Sequence, residues 1–389
     1  MKKNIAVIFG GESTEHDISI LTGIQVANAL DKQKYNLIPI YIDQKGNWFY
    51  GNELLNIKFY ANFNQKKVKK VVILPTNSHL FIEKFGKYKE FMNLDCAILA
   101  CHGKNGEDGT LQGLLELSHI PYSSSGVFAS SVGLNKVKMK ELFFANKIPI
   151  CKYQVVEKFE FEKNKFEFEN LIFPVIVKPC NLGSSIGISV CQNQYELKKA
   201  LELAFLFDDV AIIEECIKNL KEVNISVLGN KQDAICSVTE QPISKGLLSF
   251  EKKYMSTRSK SSNCGTKTQK EFSGTKNGMQ NIDRIVPADI TKNQEKRIKD
   301  LALKIFEITN SKGVVRIDFM IDNDTGKVYA NEINTIPGSF AFYLWQKSGI
   351  NFEKLLDKVI EIAIDDKNKK ENLTTIFNSS VLNQTTICK

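Results

Sequence analysis

The chain has 389 residues, of which 43% are hydrophobic and 25% charged, with a formal net charge of +8. This composition is typical of a folded globular protein and excludes fibrous and wholly disordered chains, and the length predicts two or three domains. No apolar run approaches the roughly 18 residues that a membrane helix needs, so we expect neither a membrane span nor a signal peptide.

The N-terminal segment, residues 1–122, is predicted to be an α/β domain. A buried strand at residues 5–9 leads through two glycines into a helix opened by Ser13 or Thr14. The same order of strand, glycine-rich loop and helix recurs at residues 96–117. We therefore expect an open parallel sheet whose functional loops lie at the carboxyl ends of the strands.

Residues 123–213 are predicted to form a second α/β unit after a junction of small residues. The sequence predicts a helix at residues 135–146, a strand at 175–178 and an amphipathic helix at 197–205. A further strand at residues 210–215 is expected to lead into the third unit.

Residues 214–365 are predicted to be the third domain, with a long loop at 244–284 and a polar tail at 366–389. The loop is rich in Lys, Ser, Thr and Gly and lacks periodicity, which is typical of a lid. From Glu251 to Arg284 it has eight Lys or Arg against three Asp or Glu, which favours a small anionic ligand. Nucleic acid is not expected, because no aromatic residues alternate with the basic ones to stack on bases.

The nine cysteines are an odd number and include no CxxC pair. Without an export signal they are expected to be reduced thiols of a cytoplasmic protein. A disulfide framework and a zinc site are therefore not expected.

Two strand-like runs joined by a turn around Thr325 carry the strongest chemical signal in the sequence. If this hairpin closes symmetrically, Asp318 faces Glu332. Strand alternation then places Arg316 and Asn334 on the same face. Two carboxylates about 5 Å apart repel each other unless a cation lies between them, and such oxygen ligands suit Mg²⁺ or Mn²⁺. The hairpin thus predicts a metal site, with a solvated face of surface carboxylates as the alternative.

A second signal lies where Lys178 ends an apolar strand and a loop of small residues, 183–187, follows. Backbone N–H groups in such a loop can bind phosphate oxygens while the lysine neutralises them. Lys136, Lys252 and Lys253 are further candidates for phosphate contacts, although any single lysine is more often a solvated charge. Together with a metal site and a lid, these lysines predict a nucleoside triphosphate ligand.

Five motifs follow one another within the span from residue 5 to about residue 364. They are Gly10-Gly-Glu-Ser-Thr-Glu-His-Asp-Ile-Ser19, His102-Gly-Lys-Asn-Gly-Glu-Asp-Gly-Thr-Leu-Gln-Gly113, Pro121-Tyr-Ser-Ser-Ser-Gly-Val127, Phe173-Pro-Val-Ile-Val-Lys-Pro179 with Gly183-Ser-Ser-Ile-Gly187, and Asn331-Glu-Ile-Asn-Thr-Ile-Pro-Gly338. Through these motifs the chain resembles the D-alanine–D-alanine ligase family over nearly its whole length.

The resemblance implies an ATP-grasp fold of three domains, α/β in class and α+β in the grasp, with the N-terminal open parallel sheet as one of them. It implies ATP between the central and C-terminal domains, and two Mg²⁺ or Mn²⁺ ions. The implied reaction joins two D-alanines through an acyl phosphate, in the cytoplasm, for peptidoglycan precursor synthesis. It implies no nucleic-acid or membrane partner, and it leaves open whether the chain forms a homodimer.

By motif position, the resemblance also implies roles for particular residues. The catalytic ones are Glu15, Ser184, Tyr254, Arg316 and Gly338. Substrate binding is assigned to His102, Glu107, Ser339, Tyr343 and Leu344. ATP binding is assigned to Lys136, Lys178, Ser185, Glu214, Glu215, Ile217, Glu222 and Lys253, and metal binding to Asp318, Glu332 and Asn334.

The sequence departs from the family pattern at three places. Asn135 stands where the family usually has Asp, and the segment from Glu214 to Glu222 is one residue longer than the common form. Tyr343 stands where the family often has a serine that touches the second substrate, with Ser339 next to the glycine. Two alternatives stay open: a related ligase that joins D-alanine to D-serine or another second substrate, and a nucleotide-binding protein that has lost catalysis.

Overall fold

The computed structural model describes residues 2–163, 171–243 and 284–376. The predicted lid, 244–284, lies outside these ranges except for its last residue, and Lys253 and Tyr254 lie outside them with it. The end of the predicted polar tail, from residue 377, is also outside the described residues.

A seven-stranded sheet forms the N-terminal part of the molecule. Its strands are β1 (Lys3–Gly10), β2 (Tyr35–Ile42), β3 (Trp48–Tyr50), β4 (Lys69–Ile73), β5 (His79–Lys84), β6 (Lys87–Asn93) and β7 (Cys96–Leu99), in the order β6-β5-β4-β3-β2-β1-β7. The strands β2, β1 and β7 are parallel, as predicted. The other four extend the sheet as antiparallel strands. The sequence did not predict this extension, since β6 is exposed over much of its length and lacks an apolar run.

Helix α1 (His16–Ala29) follows the glycines after β1. Its N-cap is Glu15, and no side chain caps the helix. Ser13 Oγ instead accepts a hydrogen bond from the Glu15 N–H at 3.0 Å, so the helix begins later than the predicted start at Ser13 or Thr14. This turn places Glu15 at the carboxyl end of β1.

The second sheet has four strands in the order β10-β9-β11-β8. They are β8 (Tyr153–Glu157), β9 (Val175–Pro179), β10 (Ser189–Cys191) and β11 (Val210–Glu215). The helices in this part of the chain are α2 (Thr110–Leu117), α3 (Val127–Leu134), α4 (Lys136–Ala145), α5 (Lys158–Glu162) and α6 (Gln194–Ala204). Leu197, Leu201 and Ala204 on one face of α6 are buried, so the predicted amphipathic helix is confirmed.

The third sheet has five strands in the order β14-β13-β12-β15-β16. They are β12 (Leu220–Gly229), β13 (Ile235–Pro242), β14 (Arg284–Ile285), β15 (Gly313–Asp322) and β16 (Val328–Asn334). Helix α7 (Lys292–Ile308) buries Ile298, Leu301 and Ile305 against residues such as Ile317 and Phe319 of β15. Because this face of the sheet is apolar, the polar residues of β15 and β16 lie on the other face.

Two helices follow, α8 (Phe342–Lys347) and α9 (Phe352–Glu371). Helix α9 buries Leu355, Leu356 and Val359 in the core that also contains β1. It continues past Asp366, which accepts a hydrogen bond from Lys312 Nζ at 2.6 Å. Residues 366–371, expected to belong to a polar tail, are therefore part of this helix, which ends at Glu371. A polar sequence is compatible with a helix here, since its side chains face partners or solvent.

The three sheets confirm the predicted α/β class, whereas the domain boundaries remain a prediction. All seven cysteines within the described ranges are free. Among the helices that the structure describes, none has the length and apolar character needed to cross a membrane.

Candidate active site

Loops from all three sheets line a cavity of about 690 Å³. Fourteen residues with a predicted role line it: Glu15, His102, Glu107, Lys136, Lys178, Ser184, Ser185, Glu222, Arg316, Asp318, Glu332, Asn334, Gly338 and Tyr343. Five others do not line it: Glu214, Glu215, Ile217, Ser339 and Leu344. The remaining two, Lys253 and Tyr254, are outside the described residues.

The β15–β16 hairpin has the predicted register where it lines the cavity. Asp318 lies opposite Glu332, and Arg316 lies opposite Asn334. A β-bulge between Asp318 and Phe319 then shifts the pairing by one residue toward the turn. The symmetric register is thus confirmed at the site and lost beyond it.

Arg316 and Asp318 form a bidentate ion pair. Arg316 Nε lies 2.7 Å from Asp318 Oδ1, and Nη2 lies 2.7 Å from Oδ2. Asn334 Nδ2 also donates to Asp318 Oδ2, at 3.3 Å. Burial works against the guanidinium charge, but Asp318 keeps the pKa of Arg316 well above its ordinary value. Arg316 is therefore a fixed cation in the cavity wall.

Lys178, in β9, is held in the wall by Glu214 of β11. Lys178 Nζ lies 3.1 Å from Glu214 Oε2, and Lys140 Nζ of α4 lies 3.5 Å from Oε1. Burial alone would raise the pKa of Glu214, but Lys178 and then Lys140 lower it to about 2. Burial likewise disfavours the charge of Lys178, yet Glu214 and Glu332 raise its pKa. Glu214 thus lies behind the cavity and keeps a charged lysine facing it.

Lys136 is the first residue of α4, and its Nζ donates to the Leu182 carbonyl at 2.6 Å. Asn135 caps this helix by accepting from the Lys138 N–H at 2.9 Å, so the departure from Asp preserves the cap. Burial lowers the pKa of Lys136, and the charge of Glu332 opposes that effect. Lys136 and Lys178 therefore both interact electrostatically with Glu332.

Glu15 connects the first sheet to the loop after β9. Its carboxylate accepts a hydrogen bond from Ser184 Oγ. Ser184 and Ser185 have left-handed backbone angles, with φ of 53° and 59°, which is uncommon for non-glycine residues. Gly103, with φ of +73°, lies against Glu15, and a Cβ there would come within 2.9 Å of Glu15 Oε2. These close approaches bring three loops together around one carboxylate.

His102 and Glu107 lie on the loop after β7. His102 Nε2 is 2.9 Å from Thr22 Oγ1, and burial lowers the pKa of His102 to about 4, so the ring is neutral at pH 7. Glu107 Oε2 accepts a hydrogen bond from the Gly103 N–H at 2.8 Å. Burial, and next the charge of Glu15, raise the pKa of Glu107 to about 8.

We expect Glu107→Gln to stabilise the ligand-free protein at high pH. Because the folded state binds the Glu107 proton more tightly than the unfolded state, the wild-type free energy of unfolding falls as pH rises from about 4.5 to about 8. The glutamine cannot ionise, so the stability advantage of the variant grows across that window to at least about 1 kcal/mol. Urea unfolding at pH 5, 7 and 9 measures it, with the exposed Glu202→Gln as control. A difference that does not change with pH would contradict this expectation.

The turn after β16 places two predicted substrate residues away from the cavity. Ser339, Phe340 and Ala341 are consecutive left-handed residues, with φ of 53°, 57° and 48°. This backbone directs Ser339 Oγ to the side-chain oxygen of Gln25 on α1. Leu344 is fully buried and packs with Ala341. Neither residue lines the described cavity, and the substrate-binding roles expected from the sequence remain predictions.

Asp318 and Glu332 are the residues predicted to hold a metal ion. In the ranges that the structure describes, no group of three His, Cys, Asp or Glu side chains is arranged to hold one. The pair nevertheless fits Mg²⁺, because that ion is usually bound by one or two carboxylates together with substrate phosphates. Both residues line the cavity at paired positions, and the charge of Glu332 acts on Lys136 and Lys178.

Comparison with known proteins agrees with this geometry. The chain matches the family models for the D-ala D-ala ligase N-terminus, over residues 4–125, and C-terminus, over residues 142–276 and 269–361. A D-alanine–D-alanine ligase from Thermosipho melanesiensis is 37% identical over 370 residues, which cover 94% of this chain and 95% of that protein. The chain belongs to the D-alanine–D-alanine ligase family. A ligase of that name from Geobacillus kaustophilus is 35% identical and covers 97% of this chain and 99% of its own length.

Solved structures in the D-alanine–D-alanine ligase family share the fold. The enzyme of that name from Coxiella burnetii has a TM-score of 0.76 at 26% identity and covers 95% of this chain and 96% of its own. A D-Ala:D-Ser ligase from Enterococcus faecalis has a TM-score of 0.75 at 29% identity, and the match covers 93% of this chain and 100% of that ligase. These similarities confirm the predicted ATP-grasp fold and the identification of an ATP-dependent ligase.

In this member of the D-alanine–D-alanine ligase family, three polar residues on the Tyr343 side of the cavity were not predicted from the sequence. Tyr343 donates its hydroxyl hydrogen to Glu240 Oε1 at 2.8 Å. Asn224 Nδ2 donates to the same oxygen at 3.1 Å, and Arg284 Nη1 donates to Glu240 Oε2 at 3.0 Å. The sequence offered one sign of this cluster, since Glu240 is a charged residue within a β-strand run. That pattern alone does not distinguish a site residue from a surface carboxylate.

Proposed function

We propose that the protein joins two D-alanine molecules to D-alanyl-D-alanine through D-alanyl phosphate, converting ATP to ADP and phosphate in the cytoplasm for peptidoglycan precursor synthesis. The observation that carries this proposal is that Glu15, Lys178 and Glu332 line one cavity, although Glu15 follows a strand of the first sheet and the other two lie in strands of the second and third sheets. Their charges match what a substrate ammonium, a triphosphate and its metal ions require.

The first D-alanine is bound beside Glu15 in this proposal. Glu15 pairs with the substrate ammonium, and its hydrogen bond from Ser184 keeps the carboxylate in place. His102 and Glu107 line the same region, where the lowered pKa of His102 and the raised pKa of Glu107 limit competing charge at pH 7. The substrate carboxylate is then directed toward the lysines.

Phosphoryl transfer takes place at Lys136 and Lys178. A carboxylate oxygen of D-alanine attacks the γ-phosphorus, an O–P bond forms, and the bond from phosphorus to the ADP oxygen breaks. The two lysines balance charge on the phosphates. Ser185 and Glu222 also line the cavity and are proposed to contact ATP, while Glu214 acts through Lys178. We assign Glu215 and Ile217, which precede the cavity-lining Lys218 in the chain, to the adenosine end.

Asp318, Glu332 and Asn334 are proposed to hold two Mg²⁺ or Mn²⁺ ions. Bound there, the ions neutralise the triphosphate and polarise its phosphoryl oxygens. Asn334 keeps Asp318 oriented through a hydrogen bond of 3.3 Å.

Arg316 and the Gly338 N–H are proposed to stabilise the second step. The amine of the second D-alanine attacks the carbonyl carbon of the acyl phosphate, a C–N bond forms, and a proton leaves the nitrogen. The C–O bond to phosphate then breaks and phosphate departs. The tetrahedral oxyanion needs a fixed cation and an N–H donor, and the Asp318 pair holds Arg316 in that state.

The purified protein tests the proposal directly. With ATP, Mg²⁺ and D-alanine, we expect one phosphate released for each D-alanyl-D-alanine detected by mass spectrometry. Phosphate release that does not require a D-amino acid, or no reaction at all, would refute the ligase assignment.

The similarity to a D-Ala:D-Ser ligase makes D-serine the second substrate to compare. We expect D-alanine to be preferred, because a tyrosine ring stands where the family often has a serine hydroxyl. Equimolar D-alanine and D-serine in one reaction give the ratio of products directly. A larger yield of D-alanyl-D-serine would overturn the product assignment and leave the ligase class intact.

A further inference from the structure

The wall of the cavity at Tyr343 contains a buried polar cluster that the proposed chemistry does not use. Glu240 is 3% exposed and accepts hydrogen bonds from Tyr343, Asn224 and Arg284. The Arg284 guanidinium carbon lies 4.0 Å from the centre of the Tyr343 ring, in cation–π geometry. One arginine is thus fixed by an ion pair on one side and an aromatic face on another.

Backbone pairing fixes the position of this cluster as well. Arg284 begins β14, opposite Pro242 of β13, and Glu240 lies two residues earlier on β13. Arg284, Glu240 and Tyr343 all line the cavity. A guanidinium held in this way loses little conformational freedom when it binds an anion, because its orientation is already set.

The cluster lies on the acyl-transfer side of the cavity. Asn224, which donates to Glu240, lies opposite Asp318 in the pairing of β12 with β15, and Asp318 holds Arg316, the residue assigned to the oxyanion. Lys178, in contrast, is paired with Glu214 and interacts with Glu332 on the phosphate side. An anion bound at Arg284 would therefore be next to the acyl carbon rather than at the triphosphate.

We propose that Arg284 binds the carboxylate of the second amino acid, with Glu240 and Tyr343 as its positioning residues. This inference rests on the proposed ligase function. The second substrate brings a carboxylate into a partly buried cavity, where a cation with fixed donors is the group that recognises it. The serine that often touches this substrate in the family is absent, and the side chain of Ser339 is turned toward Gln25. Two donors of Arg316, Nε and Nη2, are already bonded to Asp318.

A competition experiment tests this inference. The protein receives ATP, Mg²⁺ and a fixed mixture of D-alanine and D-alaninamide, an amine that lacks the carboxylate. The ratio of D-alanyl-D-alanine to D-alanyl-D-alaninamide, measured by mass spectrometry, gives the relative kcat/KM of the two second substrates. Damage to folding or to phosphoryl transfer affects both products and cancels in this ratio.

We expect Arg284→Gln to reduce the preference for D-alanine over D-alaninamide by about 10- to 150-fold, the value of a charge-assisted hydrogen bond. Arg284→Lys should retain part of the preference, and Tyr343→Phe should reduce it by about five-fold through loss of the hydrogen bond to Glu240. The exposed Arg297→Gln on α7 is the matched control and should leave the ratio unchanged.

An unchanged product ratio in Arg284→Gln would overturn the inference while leaving the ligase proposal intact. A wild-type protein that makes neither product would overturn the proposed function and this inference with it. A ratio that falls as much in Arg297→Gln as in Arg284→Gln would show a general charge effect and would also overturn it.

Discussion

Replacing Glu332 with glutamine is expected to lower dipeptide formation by at least about a hundredfold while leaving the protein folded. Glu332 lies opposite Asp318 on neighbouring strands, and its charge favours the protonated form of the two lysines assigned to the phosphates. The glutamine keeps the shape of the side chain but removes one of the two carboxylates available to the metal ions. With weaker metal binding, the negative charge of the triphosphate is less well neutralised. The loss is greatest during phosphoryl transfer, when the charge on the phosphoryl oxygens changes.

Stability should change little. In the ligand-free protein, Glu332→Gln removes the repulsion from Asp318 but also the attraction of Lys136 and Lys178, and these two effects oppose each other in the free energy of unfolding. Asp324→Asn, an exposed carboxylate in the turn of the same hairpin, is the matched control and should keep full turnover. Steady-state assays at several Mg²⁺ concentrations, with urea unfolding alongside, make the measurement. Wild-type turnover in Glu332→Gln at saturating Mg²⁺ would contradict the assigned role.

The sequence was most informative where a local pattern decides the structure. Symmetric closure of the hairpin about Thr325 predicted that Asp318 faces Glu332, and strand alternation predicted that both lie on the polar face. The apolar face packs on α7 and leaves the polar face to the cavity. The helix that begins at Lys136 and the loop after Lys178 were predicted for a similar reason. Short apolar runs and small residues specify local backbone, and both features depend on few distant contacts.

Other features depend on contacts between distant parts of the chain and could not be read from local patterns. Glu240, Arg284 and Tyr343 meet only because β13 and β14 pair and α8 packs beside them. The direction of Ser339 depends on left-handed backbone angles that its sequence context does not favour. Burial of Lys140 against Glu214 joins α4 to β11. Family motifs named fourteen residues that line the cavity, but they gave no information about Lys140, Glu240 and Arg284.

The residues that lie behind the cavity, such as Glu214, should affect the free energy of unfolding more than residues that line the cavity, such as Glu332. We expect Glu214→Gln to reduce the free energy of unfolding at pH 7 by about 3 to 5 kcal/mol, because it leaves Lys178 and Lys140 buried without their carboxylate. The adjacent Glu215→Gln is the control. Glu215 pairs at 3.5 Å with Lys152, whose side chain is 82% exposed, so its loss should cost at most about 1 kcal/mol.

The pH dependence separates the ion pair from simple loss of packing. Burial would raise the pKa of Glu214, but Lys178 and Lys140 lower it to about 2, so the folded state binds this proton less tightly than the unfolded state. The stability that Glu214 contributes is therefore fully present above about pH 4.5 and is lost as pH falls toward about 2. The gap between wild type and Glu214→Gln in urea unfolding should accordingly narrow from pH 7 to pH 3. A gap of constant size would mean that the side chain contributes through its shape, and that Lys178 is held in the cavity wall by something other than this charge.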